Sequence, residues 1–205
     1  MWIGRLGDER AHAHVLAQLR REPSVVHLRA LAASRRPAAV DVAIELLDHP
    51  RLARVAGETV SAIAGLPTAD NSLWLDRGVT IGGDDDDALP ALAADDLDAA
   101  PVPKAEQALR LPNPDEVRFW WAQRRGHFDA RSPWLAGARL DLARLCWGLR
   151  ELPNRQRHDL ALELAARSRG HAQLSTRAFC FTQRAQLDAV LRARPVVDFQ
   201  AGAPA

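Results

Sequence analysis

Four consecutive aspartates, Asp84, Asp85, Asp86 and Asp87, form the densest group of metal-competent side chains in the chain, since hard carboxylates suit calcium or magnesium. Their register does not match a calcium loop. An EF-hand alternates its ligands, turns at a glycine and closes on a distal glutamate, and Gly82-Gly83-Asp84-Asp85-Asp86-Asp87-Ala88-Leu89 does none of these. The run reads as a solvated acidic loop, or as a patch for the basic C-terminal half or for a basic partner. His12 and His14, two apart on a helix, point to different faces and make no helical metal pair. His158-Asp159 with Glu163 misses the two-histidine pattern of zinc hydrolases. Ser61 lies mid-helix without a G-x-S-x-G elbow, and the glycines form neither a GxGxxG nor a P-loop cradle. Cys146 and Cys180 stand in apolar stretches outside any metal spacing and read as small core residues. These patterns assign no catalytic residue, metal or cofactor, and the expectation is a chain that is not an enzyme.

Contact chemistry is better represented. Trp120 and Trp121 are adjacent, so on one helix they point about 100° apart, which lets one be core while the other joins a contact surface. The basic side is almost all arginine, Lys104 being the only lysine, a bias that fits a GC-rich genome. Arg124, Arg125, Arg139, Arg144, Arg150, Arg155, Arg157, Arg167 and Arg169 could line a phosphate-contacting groove. Glu151, Asp159 and Glu163 interleave with them, which leaves nucleic acid as the alternative to a protein partner. The candidate interaction residues are therefore Asp84 to Asp87, Trp120, Trp121, Arg124, Arg125, Arg155 and Arg157.

The elements that must position them follow from composition and periodicity. The chain has 205 residues, 47% hydrophobic and 26% charged, proportions of a globular protein rather than a disordered or membrane one. No run approaches the length of a spanning helix, and no charged segment followed by an apolar one opens the chain, so the expected address is the bacterial cytoplasm. The formal net charge of +1 is a cancellation: residues 1–66 carry +2, residues 67–102 carry −8, and residues 103–205 carry +7.

Helical spacing dominates the first third. His12, Val15, Leu16 and Leu19 stand at i, i+3, i+4 and i+7, and Val40, Ala43, Ile44 and Leu47 repeat the pattern. Val25, Leu28, Leu31 and Ala32 mark a helix between them, and Leu52 to Leu66 a longer one. Pro23, Pro37 and Pro50 sit at or near predicted first turns. The segments Leu16-Ala17-Gln18-Leu19 and Ile44-Glu45-Leu46-Leu47 recur at a period of roughly 27 to 28 residues, which suits stacked helical hairpins, an α-solenoid. An irregular helical bundle is the alternative. Glycines and prolines make residues 67–112 an acidic loop or linker. Asn113-Pro114-Asp115-Glu116 then reads as a capping box opening a C-terminal helical unit over 113–192. Within it, Leu142 to Leu152 and Asn154 to Arg167 form a hairpin, and a last helix spans Ser175 to Arg192. Residues 193–205 form a frayed tail.

Leu6-Gly7-Asp8 before an apolar helix is similar to the inter-helix turn of HEAT-like repeats, where it closes one helix and caps the next. Ala53 to Leu66, the acidic loop, Pro112-Asn113-Pro114-Asp115 with Trp120-Trp121, and Arg155-Gln156-Arg157 before Ala161 to Ala165, taken in order, resemble a proteobacterial family of HEAT-repeat proteins of unassigned function, over roughly residues 2–192. Members of that family begin with additional repeats, whereas this chain opens inside one at Trp2-Ile3-Gly4-Arg5, and Leu152-Pro153-Asn154 also departs from the pattern. The resemblance implies an all-α superhelix of short hairpins and an association with type VI secretion. The function expected is a protein-binding scaffold or adaptor, or an immunity-type binder of a secreted toxin. The resemblance carries no catalytic residue.

Overall fold

Local start signals and apolar spacing set the helices of the N-terminal part. In the computed structural model, which describes Gly4 and residues 7–75, 106–197 and 199, α1 spans Glu9–Arg21 and is capped by Asp8, whose carboxylate accepts the Ala11 N–H at 2.9 Å. Ser24 caps α2 (Val25–Ala32) by accepting the His27 N–H, and Pro37 opens α3 (Pro37–Glu45). Then α4 covers Ala53–Ala64. The pairs α1/α2 and α3/α4 are helical hairpins, and α2 also packs on α3 and α4. First helices start 28 residues apart, Glu9 to Pro37, as do second helices, Val25 to Ala53.

A two-stranded hairpin then crosses the end of α4. Strands β1 (Trp134–Leu135) and β2 (Ala138–Arg139) pair antiparallel through Ala136 (φ 47°) and Gly137 (φ 83°), both left-handed, as a two-residue type I′ turn requires. The turn's N–H groups serve α4: Ala136 N donates to the Ala62 carbonyl at 2.8 Å and Gly137 N to the Ile63 carbonyl at 3.0 Å. Carbonyls in the last turn of a helix lack helical partners, and here the hairpin provides them. The chain leaves α4 through Gly65 at φ 77°, and a Cβ there would lie 2.8 Å from the Ala136 carbonyl group, so the close approach requires glycine.

Successive strand residues face opposite sides, and β1 uses this to sit between two apolar clusters. Trp134 packs on the first cluster, built from α1–α4 with Leu73, Trp74, Val117, Trp120, Trp121 and Phe128. Leu135, fully buried, belongs to the second, built from α6 (Leu142–Glu151), α7 (Asn154–Arg167) and α8 (Cys180–Ala193). Helix α5 (Pro114–Arg124) contributes to the first cluster. Apolar packing passes from the first cluster to the second at Trp134 and Leu135, inside the unit expected over 113–192.

Two further expectations change at helix starts. Asn113 makes no side-chain cap on α5 and instead donates its amide to the Ser72 carbonyl at 3.2 Å, while its N–H reaches the Leu73 carbonyl at 2.9 Å. The 3₁₀ turn Asn71–Leu73 thus holds the start of α5. Around it, buried Trp74 bridges Pro112, and the Leu75 N–H donates to the Leu111 carbonyl at 2.9 Å, so both flanks of the acidic segment are ordered against the first cluster. Helix α8 begins at Cys180 rather than Ser175, because Gln186 accepts the Ser175 N–H and Gln183 donates to the Thr176 and Ala178 carbonyls, holding these residues in a turn. Among the described residues, no helix is long and apolar enough to cross a membrane.

Candidate functional site

The side chains singled out by type and spacing are mostly engaged inside the molecule. Trp120 and Trp121 are both buried, at 9% and 5% exposure, so both stand in the core. Helix α5 packs on both α3 and the Asn71–Leu73 turn, and that arc accommodates two adjacent side chains. The Trp121 indole donates to Asp41 at 2.9 Å, and Arg125 Nε binds the same carboxylate at 2.9 and 3.1 Å. Arg124 lies over the Trp120 ring at 4.7 Å. Arg155 pairs with Glu58 at 3.5 Å, and Arg157 donates to the Leu152 carbonyl at 2.5 Å. Asp84, Asp85, Asp86 and Asp87 lie outside the described residues.

Other arginines of the expected phosphate groove are likewise committed. Arg144 donates to the Leu135 and Ala136 carbonyls at 2.9 and 2.7 Å, bracing the hairpin against α6, and stacks over Trp147. Arg150 pairs with Asp188 at 2.5 Å, joining α6 to α8. Arg167 and Arg35 share one carboxylate, Glu163, at 3.0 and 2.9 Å. Glu163 is 1% exposed, and both guanidiniums are nearly as buried. Burial alone would raise its carboxyl, but the charges and hydrogen bonds of the two arginines outweigh that and hold it below the usual range. Arg35 sits in the α2–α3 turn with φ 55°, and its carbonyl accepts the Trp134 N–H at 2.8 Å, so the same residue grips both the hairpin and α7.

Beside this triad, α2, α4 and α7 leave a cleft of about 130 Å³ lined by Arg29, Glu58, Thr59, Arg155, Gln156 and Asp159 among others. Burial pushes the Glu58 carboxyl above the usual range in spite of Arg155 and Arg29. Arg29 is paired with Glu106 at 2.9 Å. The Thr59 hydroxyl donates to the Val55 carbonyl at 2.8 Å, as a helical threonine commonly does. Across the cleft, the Arg155–Glu58 pair joins α7 to α4. Among the described residues, no three His, Cys, Asp or Glu side chains converge as metal ligands.

The exposed chemistry lies elsewhere, at the start of α8. Phe179 and Phe181 are 79% and 73% exposed, and their rings stack at 5.9 Å with planes 4° apart. Between them Cys180 is exposed, correcting its expected core position, whereas Cys146 is buried and its thiol is pushed up by burial. Arg177 and Arg184 flank Phe179 and Phe181 in sequence, are exposed, and form no ion pair with a described residue. Along the chain no Asp or Glu occurs between Glu163 and Asp188. Of those two, the first is buried between arginines and the second is held by Arg150. Leu187 and Val190 anchor α8 in the second cluster, so the rings project from a fixed helix.

The sequence contained one signal for this surface: Phe179 and Phe181 are two apart across a helix start, a spacing that does not place both on a single helical face. Compared with protein-family models, with curated proteins and with solved structures, the chain matches none.

Proposed function

We propose that the chain is a non-enzymatic helical scaffold that binds a protein partner, and that the hairpins α1/α2 and α3/α4 are repeats of an α-solenoid. The 28-residue spacing of both helix pairs supports the repeat. The observation that carries the binding role is the exposed Phe179/Phe181 stack. Burying a phenylalanine side chain is worth about 1.5–3 kcal/mol, so two rings left in water forgo stabilisation that a partner would restore. Paired aromatics with adjacent arginine are also the residue types on which protein interfaces concentrate their affinity. The commitment of Arg144, Arg150, Arg155, Arg157 and Arg167 to internal carboxylates and carbonyls weighs against the alternative, a nucleic-acid groove.

The family resemblance adds a setting: a bacterial cytoplasmic adaptor working with type VI secretion components, or the immunity form of the same role, in which the partner is a toxin. Affinity capture with the full chain at moderate salt tests the binding role. A specific protein retained by the unaltered chain, and lost when Phe179→Ser and Phe181→Ser are introduced together, supports it. Retention of no specific protein, or of the same set by both chains, rejects it.

A further inference from the structure

We infer that the surface formed by Arg177, Phe179, Phe181 and Arg184 takes an acidic peptide segment of a partner protein, one in which carboxylates are interleaved with apolar side chains. This rests on the protein-binding reading and gives its partner a chemistry. The two stacked rings present an apolar platform at the solvent edge of α8. In sequence, exposed Arg177 precedes the rings by two positions and exposed Arg184 follows them by three, and neither has an ion-pair partner among the described residues. Complementarity of charge then selects the sign of the partner. The stretch between Glu163 and Asp188 contains Arg167, Arg169, Arg177 and Arg184 and no carboxylate, and the acids that bound it are each tied to an arginine. A basic segment would meet uncompensated positive charge, and a purely apolar one would leave two guanidiniums to be desolvated without partners. An acidic segment lacking apolar residues would leave the rings in water.

Single-stranded nucleic acid also stacks on aromatic rings, but its backbone needs a track of cations, and Arg150, Arg155 and Arg157 of α6 and α7 are engaged internally. An anionic membrane needs an apolar face deep enough to insert, and on α8 Leu187 and Val190 are turned into the second cluster, which leaves Phe181 as the exposed large apolar side chain of that helix, beside Phe179. The partner peptide is therefore the occupant these observations favour.

The test uses the full chain and a short labelled peptide alternating aspartate pairs with leucine and phenylalanine, followed by fluorescence anisotropy. Saturable binding is expected, weakened by about tenfold or more in Phe179→Ser and in Phe181→Ser. It should fall with added salt, and lose most of that salt dependence in Arg177→Gln/Arg184→Gln. A peptide with lysine in place of aspartate, and one with serine in place of the apolar residues, should each bind at least about tenfold more weakly. In the unaltered chain the acidic peptide should also slow the reaction of the exposed Cys180 thiol with a disulfide reagent, a readout that needs no substitution. Matching far-UV circular dichroism of the variants shows that they fold.

The inference is overturned if the acidic peptide does not bind the unaltered chain, or binds without protecting Cys180. It is overturned equally if the substitutions leave binding unchanged, or if oligothymidylate, an anionic phospholipid vesicle or a second copy of the chain occupies these four residues more tightly than the peptide. Capture of a protein that depends on Phe179 and Phe181, with no binding of acidic peptides, would retain the scaffold and reject this partner chemistry. Loss of both would reject the two together.

Discussion

Replacing Glu163 by alanine should be the most damaging single change in the C-terminal half. The carboxylate is 1% exposed and binds Arg35 Nε at 2.9 Å and Arg167 Nε at 3.0 Å, and those side chains are 8% and 4% exposed. Without it, two buried guanidiniums lose the carboxylate that they share. Breaking a buried pair by removing one partner costs about 3–5 kcal/mol, and in a chain of this size that lowers the melting temperature by roughly 6–20 °C. Because the penalty comes from orphaned charge, replacing all three residues together, as Arg35→Met/Glu163→Leu/Arg167→Met, should recover most of the loss.

The pH dependence has a definite sign. A carboxyl held below its usual range in the folded state binds its proton less tightly there than in the unfolded chain. Its contribution is therefore complete above the unfolded value and is lost as pH falls through the lowered folded one. Urea unfolding followed both by tryptophan fluorescence, which samples Trp74, Trp120 and Trp121 in the first cluster, and by far-UV circular dichroism measures these effects. A cost below about 1 kcal/mol for Glu163→Ala, or a triple variant as unstable as the single one, would refute the reasoning.

Glu58 should behave oppositely. Burial raises its carboxyl, so its stabilising contribution is complete below the usual glutamate range and is lost as pH rises through the raised value. Glu58→Gln should leave stability at neutral pH equal or higher and flatten that part of the urea-midpoint profile; a large loss at neutral pH would contradict it. Gly65→Ala combines a left-handed φ of 77° with a Cβ 2.8 Å from the Ala136 carbonyl group, and should cost about 2 kcal/mol or more in urea unfolding. A neutral result would show that the hairpin does not seat on α4 as described. With a disulfide reagent the native protein should show one fast thiol, Cys180, and one slow thiol, Cys146, the slow one reacting only with unfolding; two fast thiols would contradict the placement of α6.

How legible each part was depends on how far apart its partners lie. Asp8, Ser24 and Pro37 act on the turn that follows them, and the helices they open are read from neighbouring letters. Leu145, Cys146 and Leu149 likewise face the core as their spacing requires. The β-hairpin was not legible, because Ala136-Gly137 is a weak turn signal and its conformation is held by Ala62, Ile63 and Arg144. Asn113 matches a cap in sequence and contacts Ser72 instead, a tertiary partner overriding a local rule. Arg35 and Glu163 meet across 128 residues, and periodicity holds no information about such a pair. The surface at Phe179 and Phe181 shows in the sequence only as a spacing that fits no single helical face, because the turn at Ser175 to Ala178 that precedes the rings is held by Gln183 and Gln186 from within α8.

Site-specific photo-crosslinking tests the binding role most directly. With p-benzoylphenylalanine in place of Phe181, an aromatic replacement that keeps the stack, irradiation in extract of the source cell should give one discrete crosslinked protein. That product should weaken when Phe179→Ser is added and be absent when the probe replaces Val26, an exposed residue on α2. No discrete product from position 181, or the same product from both positions, would contradict a binding surface at the start of α8.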